Sequence, residues 1–267
     1  MMNRALWTAA TGMHAQQTNV DVIAHDLTNV NTNGYKKTTV TFADLFYQRL
    51  RAAGIQGRGL NNLPVGIQVG NGVRVTGTTK VFTKGAMIET GNPFNIMIND
   101  DGNLARNFFC VDIGGGQIRY TRDGSFQLDA DGNLVLSNGA ILQGGITVPA
   151  NAQDPTVTET GVVQYKDETG TTQDAGQLDL ATFVNPAGLE PEGDNLFQET
   201  PASGPAQAGK PGDAGFATVI GGALELSNVS AIEEIVKLIS AQRAYEFNSR
   251  TIQTSDEMLQ TVNNLKR

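Results

Sequence analysis

The side chains that could perform catalysis or bind a metal ion are few and far apart in this sequence. The two histidines, His14 and His25, are eleven residues apart. On a helix this spacing separates them by roughly 16 Å along the axis, which is too far for both to hold one metal ion. The single cysteine, Cys110, follows Phe108 and Phe109, and such an apolar setting is typical of a buried strand. A reactive thiol needs surroundings that stabilise its thiolate, so an enzyme built on Cys110 is only an alternative hypothesis.

The glycine-rich and aspartate-rich segments do not match a cofactor or metal motif. The run Asp129–Asn133 superficially resembles a calcium loop, but the positions where an EF-hand needs Gly and Glu hold Leu134 and Ala140. Gly70 and Gly72 lack the third glycine of a dinucleotide-binding fingerprint. We therefore predict no metal, no cofactor and no enzymatic activity.

The composition indicates a turn-rich β protein more than a helical one. Of 267 residues, 39% are hydrophobic, only 6% are aromatic and 31 are glycines. The formal net charge is −8, and residues 151–213 carry 11 acidic and 2 basic side chains. An acidic chain without a basic stripe is a poor ligand for nucleic acid, and we interpret the acidic block as a solvated outer surface. We expect no membrane span, because no apolar run approaches the required ~20 residues. We also expect no cleavable signal peptide, because Thr8, Thr11, Gln16 and Gln17 interrupt the apolar residues near the N-terminus.

Proline and glycine divide the chain into two helical ends and a middle rich in turns. All nine prolines lie between Pro64 and Pro211, and neither Gly nor Pro follows Gly222. Since both residues interrupt helices, the sequence predicts helices over about 3–30 and 229–265. Each end carries a heptad row of apolar side chains, typical of helices that pair as a coiled coil. The rows are Leu6, Met13, Val20 and Leu27 at one end, and Leu238, Tyr245, Ile252 and Leu259, widened by Ile235, at the other.

The middle of the chain predicts strands that are separated by tight turns. Alternating apolar residues bounded by Gly, Asn and Asp are the strand signal. They occur in residues 65–83, 117–128, 133–136, 162–163, 178–183 and 216–226. Residues 185–215 hold five prolines, and we predict a long irregular connection there.

The outer faces of the predicted helices carry few charges and many Thr, Asn, Gln and Ser side chains. A solvent-exposed helix usually carries more Lys and Glu, whereas faces of this kind suit contacts with neighbouring protein. The sequence therefore favours helices that pack against other subunits. A two-helix cap on a β domain is the simpler alternative.

Three segments resemble the bacterial flagellar basal-body rod and hook family. Residues 24–37 are similar to its N-terminal signature, residues 120–126 to its central β motif and residues 227–259 to its C-terminal signature. The matching positions are Asn29, Gly34, Tyr35, Lys36, Arg122, Gly124, Gln242 and Arg243. His25 and Asp26 stand where the family usually has two asparagines, and residues 103–109 depart from the family pattern around the two phenylalanines.

The resemblance implies an α+β multidomain chain without catalytic activity. Residues 1–33 and 226–267 would form a helical axial core with the two long helices paired as a coiled coil. Residues 34–80 and 214–225 would form a β-rich connecting region, and residues 81–213 a central all-β outer domain. Residues 42–72 resemble an insert typical of the distal rod branch of the family, which is thought to stiffen the rod. Its marker residues are Phe46, Tyr47, Leu63, Pro64 and Gly66.

The same resemblance implies location and partners. Such a subunit is exported by the flagellar type III apparatus and lies in the basal body, from the periplasm to the outer membrane. It would polymerise with its own copies into a helical filament that transmits torque. Other rod proteins, the hook protein and the surrounding outer-membrane and peptidoglycan ring proteins would be its neighbours. The alternatives are a hook-proximal minor rod or hook-type axial subunit, or a β-domain module that binds a surface such as a glycan.

Overall fold

The computed structural model describes residues 2–51, 66–100, 102 and 105–265. Its two long helices, α1 (Met2–Thr28) and α2 (Ala231–Leu265), confirm the predicted helical ends. A turn follows α1, in which Thr32 N donates to Asn29 O at 3.2 Å. Before α2, Val229 N donates to Ser227 Oγ at 3.2 Å. Glu233 and Glu234 lie in the first turn of α2, where the helix dipole favours negative charge.

The chain between the helices forms short strands joined by turns, which confirms an α+β protein. The strands are β1 (Thr38–Asp44), β2 (Gln48–Arg51), β3 (Ile67–Val69), β4 (Val73–Lys80), β5 (Met87–Glu89), β6 (Ile96–Asn99), β7 (Asn107–Asp112), β8 (Ile118–Thr121), β9 (Gln127–Leu128), β10 (Leu134–Val135), β11 (Ile141–Leu142), β12 (Gln153–Val157), β13 (Val162–Lys166), β14 (Thr172–Gln177), β15 (Leu180–Thr182), β16 (Glu190–Gly193), β17 (Leu196–Gln198), β18 (Gln207–Gly209), β19 (Thr218–Gly221) and β20 (Ala223–Glu225).

The chain divides into two compact units. The first, which we call the terminal unit, comprises Met1–Leu27, Thr38–Thr79 and Ala231–Arg267. The second, which we call the β unit, comprises Thr28–Lys37 and Lys80–Ser230. Within the described part of the chain, no helix combines the length and the hydropathy that crossing a membrane requires.

The β unit is organised around one large sheet with two cores. Nine described strands join in it, in the order β16-β17-β8-β7-β11-β10-β9, with β15 on β7 and β18 on β15. One core is mainly aliphatic and includes Ile96, Ile98 and Leu180. The other is mainly aromatic, and Phe108 makes edge-to-face contacts with Phe82 and Phe183 at centroid distances of 5.4 and 5.6 Å. Successive residues of β7 therefore alternate between the two cores, as side chains of a strand buried on both faces must.

The terminal unit adds two small sheets to the helices. Strand β1 pairs with β4, and β2 pairs with β3. The start of β4 lies against α1, where Val73 N donates to Thr11 Oγ1 at 3.4 Å. Gly72 has a φ of +108°, and a Cβ there would lie 2.1 Å from Thr11 Oγ1. A glycine is therefore needed at position 72, where the end of the 42–72 segment packs against α1.

The prediction of an irregular connection over residues 185–215 was wrong. That segment forms a 3₁₀ helix, Pro186–Gly188, and the strands β16, β17 and β18. Pro191 lies in β16, at the end of the sheet order, and an edge strand tolerates a residue that lacks an N–H donor. Leu196 and Phe197 of β17 are buried, so two apolar residues were sufficient for a strand between prolines.

Candidate functional site

Four charged side chains that are distant in the sequence meet inside the β unit. Lys36 Nζ lies 2.6 Å from Glu225 Oε1, and Arg122 Nη1 lies 2.6 Å from Asp100 Oδ2. Arg122 also binds Glu225, because its Nε donates to Oε2 at 3.0 Å. These side chains are at most 3% exposed. We call this set the buried charge cluster.

Neighbouring backbone groups add further hydrogen bonds to the cluster. Lys36 Nζ donates to Thr83 O at 2.7 Å, and Gly85 N donates to Glu225 Oε1 at 2.8 Å. Arg122 Nη1 donates to Asn107 O at 2.5 Å. Two cations and two carboxylates balance each other, which is the condition under which charges are tolerated in a protein interior.

A glycine lets the segment after α1 reach Arg122. Gly34 has a φ of +67°, and a Cβ on it would lie 2.6 Å from the carbonyl carbon and oxygen of Arg122. Its N–H donates to Glu225 O at 2.8 Å. Lys36 lies two positions after Gly34, so this close approach also places the Lys36 ammonium beside Glu225.

Burial and neighbouring charges shift two pKa values in the cluster. Burial lowers the pKa of Lys36 from its ordinary 10.5 to about 8, although the Glu225 carboxylate opposes the shift. Burial by itself would raise the pKa of Glu225, but Arg122, Lys36 and the Gly85 N–H together lower it below its ordinary 4.5. Glu225 is therefore ionised in the folded chain at neutral pH.

We expect Glu225 to make the fold sensitive to acid. Because its pKa is lower in the folded than in the unfolded chain, its contribution to stability is fully present above about pH 4.5 and is lost as the pH falls through the folded value. The difference in free energy of unfolding between the wild-type chain and Glu225→Gln should be large at pH 7 and should shrink below pH 4.5. Urea unfolding at pH 7, 5, 4 and 3 measures it.

A matched control for this prediction is Glu192→Gln. Glu192 pairs with Arg119 at 2.6 Å, but its side chain is 32% exposed, so its removal should change stability little at any of these pH values. A difference between Glu225→Gln and the wild-type chain that stays constant from pH 7 to pH 3 would contradict the assignment.

Asn228 joins the two chain segments that lead into the helices. Its Oδ1 accepts from Lys37 N at 2.7 Å, and its Nδ2 donates to Val81 O at 2.8 Å. Residues 28–37 follow α1 in the chain, and residues 225–230 precede α2. Asn228 and the buried charge cluster therefore hold these two segments together within the β unit. The role of these side chains is therefore structural.

The structure brings together several of the predicted family-motif positions. Gly34, Lys36 and Arg122 meet at the cluster. Tyr35 is buried, with Lys80 Nζ 4.6 Å from its ring centroid. Gly124 packs so closely that a Cβ would lie 1.7 Å from Ile96 O. The others lie elsewhere: Asn29 forms the turn after α1, and Gln242 and Arg243 are exposed on α2.

The sequence interpretation missed the two acidic members of the cluster. Glu225 lies at the end of a predicted strand, after the buried residues Ala223 and Leu224. A carboxylate at a buried strand position needs a cation, so the position of Glu225 in the sequence was a signal for a buried ion pair. Asp100 follows β6 in a segment rich in Asn and Asp. Its acidic side chain therefore does not differ from its neighbours in the sequence, and no local signal marks it as buried.

On α1, the most deeply buried side chains are not the predicted heptad row. Leu6, Met13, Val20 and Leu27 are half-buried. The most buried apolar side chains are Ala9, Ala15 and Ile23. Asp26 is also buried, and its carboxylate accepts from Thr38 N at 3.0 and 3.1 Å. The acceptor oxygen of an asparagine could serve the same bond, so Asp26 is compatible with the family's usual Asn.

On α2, the predicted row is likewise less buried than a neighbouring row of small and polar side chains. Leu238, Ile252 and Leu259 are half-buried, and Ile235 and Tyr245 are 45% and 43% exposed. The deeply buried side chains are Glu234, Ala241 and Ser255, which follow one another at heptad spacings. Small inward side chains let a neighbouring element approach closely.

The two helices lie side by side in opposite directions within the terminal unit. A Cβ on Gly12 would lie 2.8 Å from Asn248 Nδ2. A cavity of about 470 Å³ is lined by residues 5 and 8 of α1 and residues 248 and 251 of α2. A second, of about 400 Å³, is lined by residues 17 and 20 of α1 and residues 242 and 245 of α2. Residues later in α1 therefore face residues earlier in α2, as in an antiparallel pair of helices.

The insert exposes apolar side chains next to β2. Phe46 is 93% exposed and Tyr47 is 57% exposed. Asn71 Nδ2 donates to Phe46 O at 2.8 Å, which fixes the backbone there. Gly66 precedes β3 and is half-buried. The predicted insert positions Leu63 and Pro64 lie outside the described residues.

The residues that raised an enzymatic alternative do not have the properties that it needs. Burial, and then the charge of Asp179, raise the pKa of the Cys110 thiol to about 12, so it is protonated near neutral pH and is a poor nucleophile. His14 and His25 are both exposed on α1. Among the residues that the structure describes, no group of three His, Cys, Asp or Glu side chains could hold a metal ion.

Comparisons with known proteins agree with the motifs. Residues 6–36 match the flagella basal body rod protein family, residues 97–165 the FlgE/F/G D1 domain of flagellar hook proteins, and residues 220–265 the C-terminal region of the flagellar basal body rod FlgEFG proteins. The flagellar basal-body rod protein FlgG of Borreliella burgdorferi is 45% identical, covering 100% of both chains. That of Agrobacterium fabrum is 44% identical, covering 98% of this chain and 100% of the relative. The flagellar hook protein FlgE of Escherichia coli is 25% identical over an alignment of 420 residues, covering 97% and 99%. The chain therefore belongs to the flagellar basal-body rod protein family.

Proposed function

We propose that the chain is a structural subunit of the distal rod of the bacterial flagellar basal body. Copies would polymerise through their terminal units into a stiff tubular shaft that transmits torque from the motor to the hook. The observation that carries the proposal is the surface of α2. Large apolar side chains lie exposed along its whole length, from Ile232 (78%) through Phe247 (64%) to Leu265 (81%). Apolar surface of this extent marks an interaction site, and similarity to basal-body rod proteins over the whole chain suggests that the partners are its own copies.

In this proposal the two helices form a coiled coil at the centre of the shaft. The small buried side chains Ala9, Ala15 and Ala241 support close pairing within one subunit. The larger side chains of the predicted heptad rows keep part of their surface free for neighbouring copies. The β-rich connecting region and the central β domain would surround this core, and the acidic residues of 151–213 would face outward.

The proposed neighbours follow from a position in the basal body. Export by the flagellar type III apparatus would bring the subunit to the periplasm, and the shaft would extend toward the outer membrane. Other rod proteins and the hook protein would continue the axis, and ring proteins of the peptidoglycan and outer membrane would surround it. The exposed Phe46 and Tyr47 of the insert would brace adjacent subunits and stiffen the shaft.

Two alternative functions are less well supported. A hook-type axial subunit would use the same helices, but the relative named as a hook protein shares only 25% identity, against 45% and 44% for two of the relatives named as rod proteins. A surface-binding module would present aromatic side chains on its β surface. The single Trp of the chain, Trp7, lies on α1 instead.

Complementation of a mutant that lacks its own distal rod subunit tests the proposal. The wild-type chain should restore motility, and isolated basal bodies should show complete rods in electron micrographs. Phe247→Asp should abolish rod assembly without lowering the melting temperature of the monomer, because this side chain is exposed. Gln253→Asp, at an exposed polar position of the same helix, is the matched control and should support rods. A chain that binds peptidoglycan but neither polymerises nor restores rods would favour the surface-binding module.

A further inference from the structure

Four exposed aliphatic side chains form a stripe on the first turns of α2. Ile232 is 78% exposed, Ile235 45%, Val236 62% and Ile239 45%. Their spacings of three, four and seven residues place them on one face of the helix. β-branched side chains on a helix hold nearly one rotamer, so a partner can cover them at little entropic cost. We call these residues the α2 stripe.

Trp7 is the matching feature on the other helix. Among the side chains of α1 that the structure describes, it is the one large apolar side chain left exposed, at 72%. A tryptophan is large and rigid, and such residues dominate the energetics of many interfaces. A single tryptophan on an otherwise polar helix surface is suited to insert between aliphatic side chains of a partner.

Within one chain, Trp7 and the α2 stripe lie at different levels of the terminal unit. The cavity that is lined by residues 5 and 8 of α1 and residue 251 of α2 places Trp7 near the level of residue 251. Residues 239 and 232 are 12 and 19 positions away from that level, or roughly 18–29 Å along α2 at ~1.5 Å per residue. Trp7 therefore reaches no stripe on its own chain. A second copy displaced along the helix axis brings the two surfaces together, and a contact between two different surfaces can repeat without end.

One charge beside each surface is complementary to a charge beside the other. The remaining cation beside the stripe, Lys237, is paired with Glu234 on its own helix at 2.7 Å. Glu233 is exposed next to the stripe, and Arg4 lies one helical turn from Trp7, on the same side of α1. Arg4 also binds Gln48 Oε1 through one nitrogen, and its guanidinium has further donors to offer a carboxylate. When Trp7 of one copy meets the stripe of another, the opposite charges come together and help to set the register.

We propose that Trp7 of one subunit packs on the α2 stripe of a second copy, with Arg4 facing Glu233 across the contact. This inference rests on the proposed polymerisation and names the surfaces that perform it. One tryptophan buries about 150–250 Å², well below the ~1,200 Å² of a stable interface. The contact therefore does not hold a dimer in dilute solution, and it contributes when many subunits repeat it in a polymer.

Cross-linking in the assembled polymer tests the contact. A chain carrying Trp7→Cys and Val236→Cys is assembled and treated with a mild oxidant, and a ladder of covalent multimers is expected on a non-reducing gel. The matched control carries Trp7→Cys and Gln260→Cys, since Gln260 is exposed on α2 but lies 24 residues, or roughly 36 Å, from Val236 along the helix. Cys110 is buried with a raised pKa and should not react. A polymer that gives no ladder above the control would overturn the contact and leave the polymerisation intact. A wild-type chain that never polymerises would overturn both.

Substitutions of Trp7 provide a second readout. Trp7→Ala should raise the critical concentration for polymerisation about tenfold or more, whereas Trp7→Phe should change it less. The melting temperature of the monomer should stay the same in both variants, because the side chain is exposed. An unchanged critical concentration for Trp7→Ala would overturn the proposal. Cross-links that join the α2 stripe only to a different rod protein, and never to a second copy of this chain, would also overturn it.

Discussion

Replacement of Arg122 by methionine is expected to destabilise the β unit by about 3–5 kcal/mol. The substitution keeps much of the side-chain volume but leaves two buried carboxylates, Asp100 and Glu225, with only the Lys36 ammonium to compensate them. An uncompensated charge in the interior costs far more than the loss of one hydrogen bond. Urea unfolding, followed by the near-UV signal of the aromatic core, measures the change.

The control for this prediction is Arg119→Met. Arg119 lies in β8, three residues before Arg122, and binds Glu192 at 2.6 Å, but the two side chains are 14% and 32% exposed. The loss of this pair should cost no more than about 1 kcal/mol. Equal effects of the two arginine substitutions would show that the buried charge cluster is not the determinant of stability that its geometry indicates.

The second large effect is expected for Gly124→Ala. The new Cβ would lie 1.7 Å from Ile96 O, and the two residues cannot separate freely because Ile96 N donates to Gly124 O at 3.0 Å. Ile96 is fully buried in the aliphatic core, so a shift of its backbone would disturb the packing around it. We expect a loss of about 3 kcal/mol, measured by the midpoint of urea unfolding.

Gly77→Ala is the matched control for Gly124→Ala. Gly77 lies in β4, and a Cβ on it would meet nothing within 4 Å. Its replacement should be neutral or stabilising by up to about 1 kcal/mol, since alanine loses less backbone entropy than glycine on folding. A similar loss of stability in both variants would mean that the close approach at Gly124 is not what requires glycine there.

The helices and most strands could be predicted from the sequence because their signals are local. The placement of Gly and Pro bounded α1 and α2 within two residues of the observed ends. The apolar run at Phe108–Val111 indicated strand β7, and the alternation at residues 117–128 indicated strand β8. The strands after residue 185 were missed because proline was interpreted as a breaker, whereas Pro191 lies where the sheet does not need its N–H.

The buried charge cluster could be predicted only in part because its contacts are non-local. The motif residues Lys36 and Arg122 were singled out, but their partner Glu225 is 189 and 103 residues away from them. The pairing depends on sheet topology, which no local pattern encodes. The deeply buried positions of α2 could not be predicted either, because apolar periodicity marks large side chains, whereas close approach in this unit favours the small Ala241 and Ser255.

Amide hydrogen exchange, compared between monomer and polymer, tests most directly the central claim that the terminal helices are completed by neighbouring copies. In the monomer at micromolar concentration, the amides of α1 and α2 should exchange much faster than those of the buried strand β7, because half-exposed helices gain most of their stability from packing. In the polymer, the protection of both helices should rise to that of β7, which itself should stay unchanged. Helices that are already as protected as β7 in the monomer, with no gain on polymerisation, would contradict the claim.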